Sequence, residues 1–305
     1  MPRVGVRPRG PFIASLTIFF GATVWGLYWL PLREAGRLGL SGPWSVVAFN
    51  AAPLAVLLPL VVWRRAELRR HWRMALAIGF FSGAGLACYE LGLLYTTILR
   101  ATLLYYLTPI WSTLIAMALI GERVTWHRVA AICLGLAGLA LMLGLGGRGA
   151  DGQATSLLGD SLGLLSGMLW GFGATFLRRH PEISPLESVP MQYLFGALAA
   201  LAAVWLGAGP EASLPALGSW LAAAPITTLF TVGLIMPTVF AIFWAAQIIS
   251  PGRVGLLMMS EVVVAGLSAS LIAGERITLP EGLGAGLILA ASAVEIFGPT
   301  ETVGE

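Results

Sequence analysis

The feature that most constrains this chain is a series of apolar stretches, each about twenty residues long, separated by short segments that carry arginine. The longest charge-free stretch, residues 212–252, runs for 41 positions. A helix needs about 20 mainly apolar residues to cross a bilayer. Because only helices satisfy all their backbone hydrogen bonds in lipid within one such segment, we predict an all-α integral membrane protein.

Composition supports this fold class and excludes several kinds of chemistry. The chain is 57% hydrophobic and 11% charged, whereas soluble domains carry about 25% charged residues. All 18 basic residues are arginines, so the lysine of a phosphate-binding loop or of a Schiff base is absent. The three histidines lie in predicted loops, and no cysteine–histidine cluster completes a metal site. We therefore predict no metal, no cofactor, no nucleic-acid partner and no enzymatic activity.

Ten stretches are predicted to span the membrane. They lie near residues 11–32, 43–63, 74–97, 101–120, 129–147, 158–177, 187–207, 227–250, 254–273 and 282–298. Residues 212–252 are long enough for two spans, and an internal repeat decides between one and two. Under that repeat the eighth span begins near residue 227, so we expect residues 212–226 to form a surface segment.

The internal repeat relates the two halves of the chain. Residues 100–125 and 253–278 align without gaps at nine identities in 26 positions, and both end in Gly-Glu-Arg-x-Thr. The Trp-Gly pair at residues 25–26 returns at residues 170–171. Each half then holds five spans, and because five is odd the halves must have opposite orientations. Such inverted repeats are typical of secondary transporters.

Arginine placement predicts the orientation of the chain. With the N-terminus inside, thirteen arginines fall on the cytoplasmic side and five on the outer side, as the positive-inside rule requires. We thus predict ten transmembrane helices as two inverted five-helix repeats, with both termini in the cytoplasm. The predicted parts are a first repeat over 1–147, a linker over 148–156, a second repeat over 157–299 and a tail over 300–305.

These halves resemble the EamA-type members of the drug/metabolite transporter superfamily. The resemblance rests on the two Gly-Glu-Arg-x-Thr motifs, Gly121–Thr125 and Gly274–Thr278, each after a small-residue span and before a glycine-rich one. Locally, Tyr-Glu at residues 89–90 and Tyr-Leu-x-Pro at residues 106–109 are similar to bacterial aromatic amino acid exporters. The resemblance implies an inner-membrane transporter with a central cavity lined by spans one, three, four, six, eight and nine.

Two glutamates inside predicted spans are the strongest functional candidates. Ionisable residues within a membrane are costly and mark function by default. Glu261 could bind a substrate ammonium or accept a coupling proton, and Glu90 is placed similarly in the third span. The alternative for both is structural: a tether between helices or, for Glu90, an ion pair with Arg100.

Aromatic residues deep in the spans are candidates for a cavity wall that stacks on an organic substrate; helix packing is the alternative. The candidate substrate-binding residues are Trp25, Tyr28, Tyr89, Glu90, Tyr106, Trp111, Trp170, Met258 and Glu261. Pro109 and Pro237 are candidate hinges, because an internal proline removes a backbone hydrogen bond and bends its helix.

The sequence therefore predicts a monomeric, multi-pass inner-membrane transporter that exports small organic metabolites by alternating access. Aromatic or hydrophobic amino acids are the first expected substrates, with proton coupling left open. Cationic aromatic drugs are the alternative within this mechanism. A non-catalytic membrane scaffold and an intramembrane lipid-modifying enzyme are alternatives of other classes.

Overall fold

The computed structural model describes residues 9–96, 98–142, 156–206, 213–273 and 277–297. Within these ranges the chain is helical and has no β-strand. Three predicted features lie outside the described residues: the linker apart from Ser156, the tail at 300–305, and the Gly-Glu-Arg of the second motif at 274–276.

Seven α-helices are described before the predicted linker and seven after it. The first seven are α1 Arg9–Trp25, α2 Trp29–Arg37, α3 Pro43–Trp63, α4 Arg65–Tyr95, α5 Ile98–Tyr105, α6 Thr108–Ile120 and α7 Trp126–Met142. The others are α8 Leu157–Arg179, α9 Pro185–Trp205, α10 Leu217–Phe230, α11 Met236–Ala246, α12 Pro251–Met258, α13 Ser260–Ala273 and α14 Leu279–Phe297. A π-helical turn, Thr231–Ile235, joins α10 to α11.

Eight segments are long and apolar enough to cross a membrane. They are Gly10–Arg37, Pro43–Trp63, Arg65–Tyr95, Ala101–Ile120, Pro185–Trp205, Leu217–Ala246, Pro251–Ile272 and Leu279–Phe297. Helix α7, at the predicted fifth span, is a shorter apolar helix, and α8, of 23 residues, lies at the predicted sixth. The described chain is thus a multi-pass helical membrane protein.

The prediction that residues 212–226 form a surface segment is wrong for most of that range. Helix α10 begins at Leu217 and continues through the π-helical turn into α11, giving one apolar segment of 30 residues. The absence of charge over this stretch favours one long helix in lipid over a polar loop. Leu217 and Leu221 are exposed on the protein surface, as lipid-facing side chains would be.

The helix that contains the third span begins earlier than the predicted span. Helix α4 starts at Arg65 rather than near residue 74, so the arginine-rich segment is helical. Non-helical backbone angles at His71 mark a kink inside α4. The charged first turns thus form a separate stretch ahead of the apolar part of the helix.

The two halves of the chain are interlocked. The largest helix–helix interfaces all join a helix before residue 143 to one after residue 155: α4 with α8 and α9, α7 with α14, α3 with α9, α6 with α8, and α1 with α11. Glycines permit the closest approach. A Cβ on Gly79 would meet Met191 of α9, and one on Gly83 would overlap the carbonyl oxygen of Gln192. Small residues play this part in membrane helix packing generally.

We expect Gly83→Ala to destabilise the protein by about 1–3 kcal/mol, because the added methyl group forces α4 away from α9. The control is Gly282→Ala in α14, where an added Cβ meets nothing within 4 Å. Alanine is the better helix former by about 1 kcal/mol, so the control should be neutral or slightly stabilising. Thermal unfolding in detergent measures both; equal melting temperatures for the two variants would contradict the packing account.

Candidate functional site

Four of the apolar segments are interrupted partway along their length. Residues 26–28 form a turn between α1 and α2, and residues 106–107 separate α5 from α6. Met259 separates α12 from α13, and the π-helical turn interrupts the segment of α10 and α11. In membrane proteins, irregular backbone is tolerated where it is buried in protein or lines a cavity.

A cavity lies among these interruptions. Its volume is about 660 Å³, a figure that includes the part open to solvent. Helices at predicted spans one, three, four, six, eight and nine all contribute to it, and α9 adds one residue. The lining residues are Trp25, Tyr28, Leu86, Tyr89, Glu90, Leu93, Tyr105, Trp170, Gln192, Val239, Ile242, Met258 and Glu261.

Glu90 of α4 lies in the cavity wall and is 6% exposed. Its Oε1 accepts a hydrogen bond from the hydroxyl of Tyr28, which the turn between α1 and α2 presents to it. Its Oε2 is buried without a hydrogen-bond partner among the described residues. Tyr28 therefore holds one carboxylate oxygen, while the amide side chain of Asn50 in α3 lies near the carboxylate.

Glu261 lies in the first turn of α13 and also lines the cavity. Its Oε2 accepts a hydrogen bond of 2.8 Å from the hydroxyl of Tyr106. The same hydroxyl is 3.4 Å from the carbonyl oxygen of Met258, at the end of α12. Tyr106 thus connects the break between α5 and α6 to the break between α12 and α13, and joins the two halves of the chain.

The remaining walls are largely aromatic. Tyr89 and Tyr105 are stacked, with ring centroids 4.4 Å apart, and Trp25 packs on Tyr28 at 5.5 Å. Trp170 faces them from α8. Such rings bind the apolar or aromatic part of a ligand by stacking, and a cationic part by cation–π attraction.

Several polar atoms in the lining residues lack a partner within the described parts of the chain. The indole N–H groups of Trp25 and Trp170 are buried unpaired donors, and Oε1 of Gln192 is a buried unpaired acceptor. Burying such groups without a hydrogen bond costs about 1–3 kcal/mol each. No arginine, lysine or histidine lines the cavity in the part of the chain that the structure describes.

Both halves of this fold match a known family. Residues 12–144 and 157–296 match the EamA-like transporter family. The chain belongs to this family. It is a membrane transporter, and a small-molecule substrate and the lipid bilayer are its implied partners.

Two relatives agree with the membership. A protein of Archaeoglobus fulgidus described as an uncharacterized transporter is 28% identical over 234 residues, which cover 73% of this chain and 76% of that protein. A crystal structure that is 21% identical superposes with a TM-score of 0.71, over 92% of this chain and 96% of the other. The latter similarity shows a shared fold.

The cavity brings together most of the residues singled out in the sequence of this EamA-like transporter. Seven of the nine candidates line it: Trp25, Tyr28, Tyr89, Glu90, Trp170, Met258 and Glu261. Tyr106 lies behind the lining, 1% exposed, and reaches the cavity through Glu261. Trp111, in the first turn of α6, is not in the lining.

The two candidate hinge prolines lie beside changes in helix geometry, Pro109 after a turn and Pro237 within the continuous segment Leu217–Ala246. Pro109 is in the first turn of α6, directly after the break at residues 106–107. Pro237 is in the first turn of α11, directly after the π-helical turn. A proline is well tolerated at such a position, where its missing N–H is not needed.

Six lining residues were not predicted from the sequence. Leu86 and Leu93 follow the helical spacing of Tyr89 and Glu90, so periodicity could have found them. Gln192 is an amide in an apolar span, which is also a detectable signal. The other three are Tyr105, Val239 and Ile242.

We expect Tyr106→Phe to lower the free energy of unfolding by about 1–3 kcal/mol, because it leaves the buried Oε2 of Glu261 without its donor. Tyr193→Phe is the matched control: Tyr193 is equally buried, and its hydroxyl has no partner among the described residues. The control should change stability by less than about 0.5 kcal/mol. Denaturant unfolding in detergent compares them, and a silent Tyr106→Phe would show that the bond is not made.

Proposed function

We propose that this EamA-like transporter exports small amphipathic organic molecules, with aromatic or hydrophobic amino acids as the leading substrates. The observation that carries the proposal is the cavity at the helix interruptions, which combines two carboxylates, an aromatic wall and unpaired indole N–H groups. We further propose that it acts in the bacterial inner membrane with both termini in the cytoplasm.

The polar groups suit a zwitterion with an apolar side chain. An ammonium group can bind the carboxylates of Glu90 and Glu261 and the amide oxygen of Gln192, since these three residues line the cavity. A carboxylate can accept from the indole N–H groups of Trp25 and Trp170. Since unmet polar groups reject a ligand that lacks the matching group, this combination favours amino acids over purely apolar compounds.

Cationic aromatic compounds are the second candidate substrates. The absence of a basic side chain from the described lining favours them, because a substrate carboxylate would meet only neutral donors there. The two carboxylates and the stacked Tyr89 and Tyr105 would both attract an aromatic cation.

Alternating access between two inverted five-helix halves is the proposed mechanism. Helices α7 and α8 would complete ten spans with the eight that qualify by length and composition. One pair of contacts supports the proposal: α4 packs on α8, and α11, at the corresponding place in the other half, packs on α1. Gly26 packs on the backbone of Glu261 in α13, and Gly171 of the repeated Trp-Gly pair packs on Ser112 in α6.

The repeats are proposed to extend over 1–147 and 157–299, joined by the linker at 148–156. Pro109 and Pro237 are proposed hinges, because each stands where a helix is already interrupted. Glu90 or Glu261 would carry a coupling proton if transport is proton-driven. The transporter is proposed to act as a monomer, since the cavity is built within one chain.

The transport assay that tests the substrate compares three compounds in proteoliposomes: phenylalanine, phenethylamine, which lacks the carboxylate, and 3-phenylpropionate, which lacks the ammonium. We expect saturable transport of phenylalanine, weaker transport of phenethylamine and none of 3-phenylpropionate. Faster transport of phenethylamine than of phenylalanine would favour the second candidate. If none of the three compounds shows saturable transport, the result would count against both candidate classes of substrate.

In the same assay we expect Glu261→Gln and Glu90→Gln to reduce transport about tenfold or more, because a hydrogen bond to a charged group contributes about 1.5–3 kcal/mol. Glu34→Gln is the control, since Glu34 is exposed and pairs only with the exposed Arg37 among the described residues. Full activity of both cavity variants would remove the carboxylates from substrate binding.

Cysteine labelling in sealed vesicles tests the inverted topology. With Cys88 and Cys133 replaced by alanine, we expect a cysteine at position 123 to react only with reagent on the cytoplasmic side. A cysteine at position 278, after the second motif, should react only from outside. Reaction of both from one side would contradict opposite orientations of the halves.

A further inference from the structure

A cluster of four buried charges lies between the two halves, away from the cavity. Its members, which we call the ion cluster, are Glu122, Arg128, Arg253 and Glu295, each 4–8% exposed. Nε of Arg128 is 2.6 Å from Oε1 of Glu295, and Nε of Arg253 is 3.8 Å from Oε2. Nη1 of Arg128 is 3.9 Å from Oε1 of Glu122. Two positive and two negative groups make the cluster neutral.

The ion cluster ties the turn before α12 to helices from both halves. Arg128 belongs to α7, and its Nη2 donates a hydrogen bond of 2.7 Å to Oγ of Ser250 in that turn. Glu295 belongs to the last turns of α14. Gly252 makes the close contact possible, because a Cβ there would meet Oγ1 of Thr113 in α6 and Nη1 of Arg128.

Helix α12 connects the ion cluster to the cavity. Arg253 lies in its first turn, and Met258 at its other end lines the cavity. At 1.5 Å per residue these two residues are about 7.5 Å apart along the helix axis. All eight residues of α12 are buried, so the helix that joins the cavity to the ion cluster is packed inside the protein.

A merely stabilising role explains this arrangement poorly. A buried ion pair often contributes no more stability than well-packed apolar residues of similar size, and ionisable groups are costly in a membrane protein. Charged groups have an advantage where an interface must both close and open, because water can solvate them once they separate. In the predicted topology the ion cluster lies on the cytoplasmic side.

We propose that the ion cluster is the inner gate of the transporter: its bonds hold the cytoplasmic side of the cavity closed, and they break when the cavity opens to the cytoplasm. This inference rests on the alternating-access mechanism proposed above. Arg128 holds the gate, because it contacts both Glu295 and Ser250.

The test uses a reporter cysteine in the cavity, Val239→Cys, in a chain whose Cys88 and Cys133 are replaced by alanine. A membrane-impermeant thiol reagent is applied to sealed vesicles from the cytoplasmic side only. We expect Arg128→Gln to raise the labelling rate about tenfold, because the closed state loses charge-assisted hydrogen bonds. Arg69→Gln, which removes an exposed charge on the same predicted face, should leave the rate unchanged.

Two further variants keep the test decisive if Arg128→Gln alone fails to fold. The pair Arg128→Gln with Glu295→Gln leaves the ion cluster neutral, and Ser250→Ala removes a single hydrogen bond. We expect about tenfold faster labelling in the first and a smaller increase in the second. Unchanged labelling in a variant that melts like the parent would overturn the gate. The labelling assay needs no substrate. If the gate variants label faster while none of the three compounds is transported, the proposed substrates are rejected and the gate is not.

Discussion

The structure depends on one constraint: a backbone that crosses lipid must satisfy its hydrogen bonds internally. Continuous helices meet this requirement over most of each apolar segment. At residues 26–28, 106–107 and Met259 the helices are interrupted, and backbone N–H groups such as those of Leu27, Leu107 and Met259 donate to the carbonyl oxygen three residues earlier. The Tyr106 hydroxyl, which donates to Glu261, also lies 3.4 Å from the carbonyl oxygen of Met258. The cavity lies among these interruptions, and its two carboxylates come from α4 and α13.

Close contact between the halves holds these interruptions at fixed positions relative to one another. Gly26 allows the first interruption to lie against the backbone of Glu261, and Gly83 allows α4 to lie against α9, which carries Gln192. Each cavity carboxylate is then held by a tyrosine hydroxyl from an interrupted segment: Glu90 by Tyr28, and Glu261 by Tyr106. Packing and the polar site are therefore one arrangement, since a shift of any of these helices would separate donor from carboxylate.

The sequence predicted the helical membrane fold well, because the length of an apolar stretch indicates the length of the helix that crosses the membrane. The second predicted span and α3, for example, both cover residues 43–63. It failed at residues 212–226, because the start of the eighth span was taken from the internal repeat, although the uncharged stretch itself favours a longer helix. The carboxylates were predictable from their cost in a membrane. The positions of Tyr106 and Trp111 were not predictable. Residues on one continuous helix can be assigned to a common face from their spacing, but the break at residues 106–107 changes the direction in which later side chains point.

The central claim is that the cavity at the helix interruptions is the place where substrate binds. An experimentally determined structure with bound phenylalanine tests it most directly. The account predicts ligand density between Trp25 and Trp170, with the ammonium group within hydrogen-bond distance of Glu90 or Glu261. Saturable transport combined with ligand density at any other site would contradict the account. An empty cavity at saturating phenylalanine would contradict it as well.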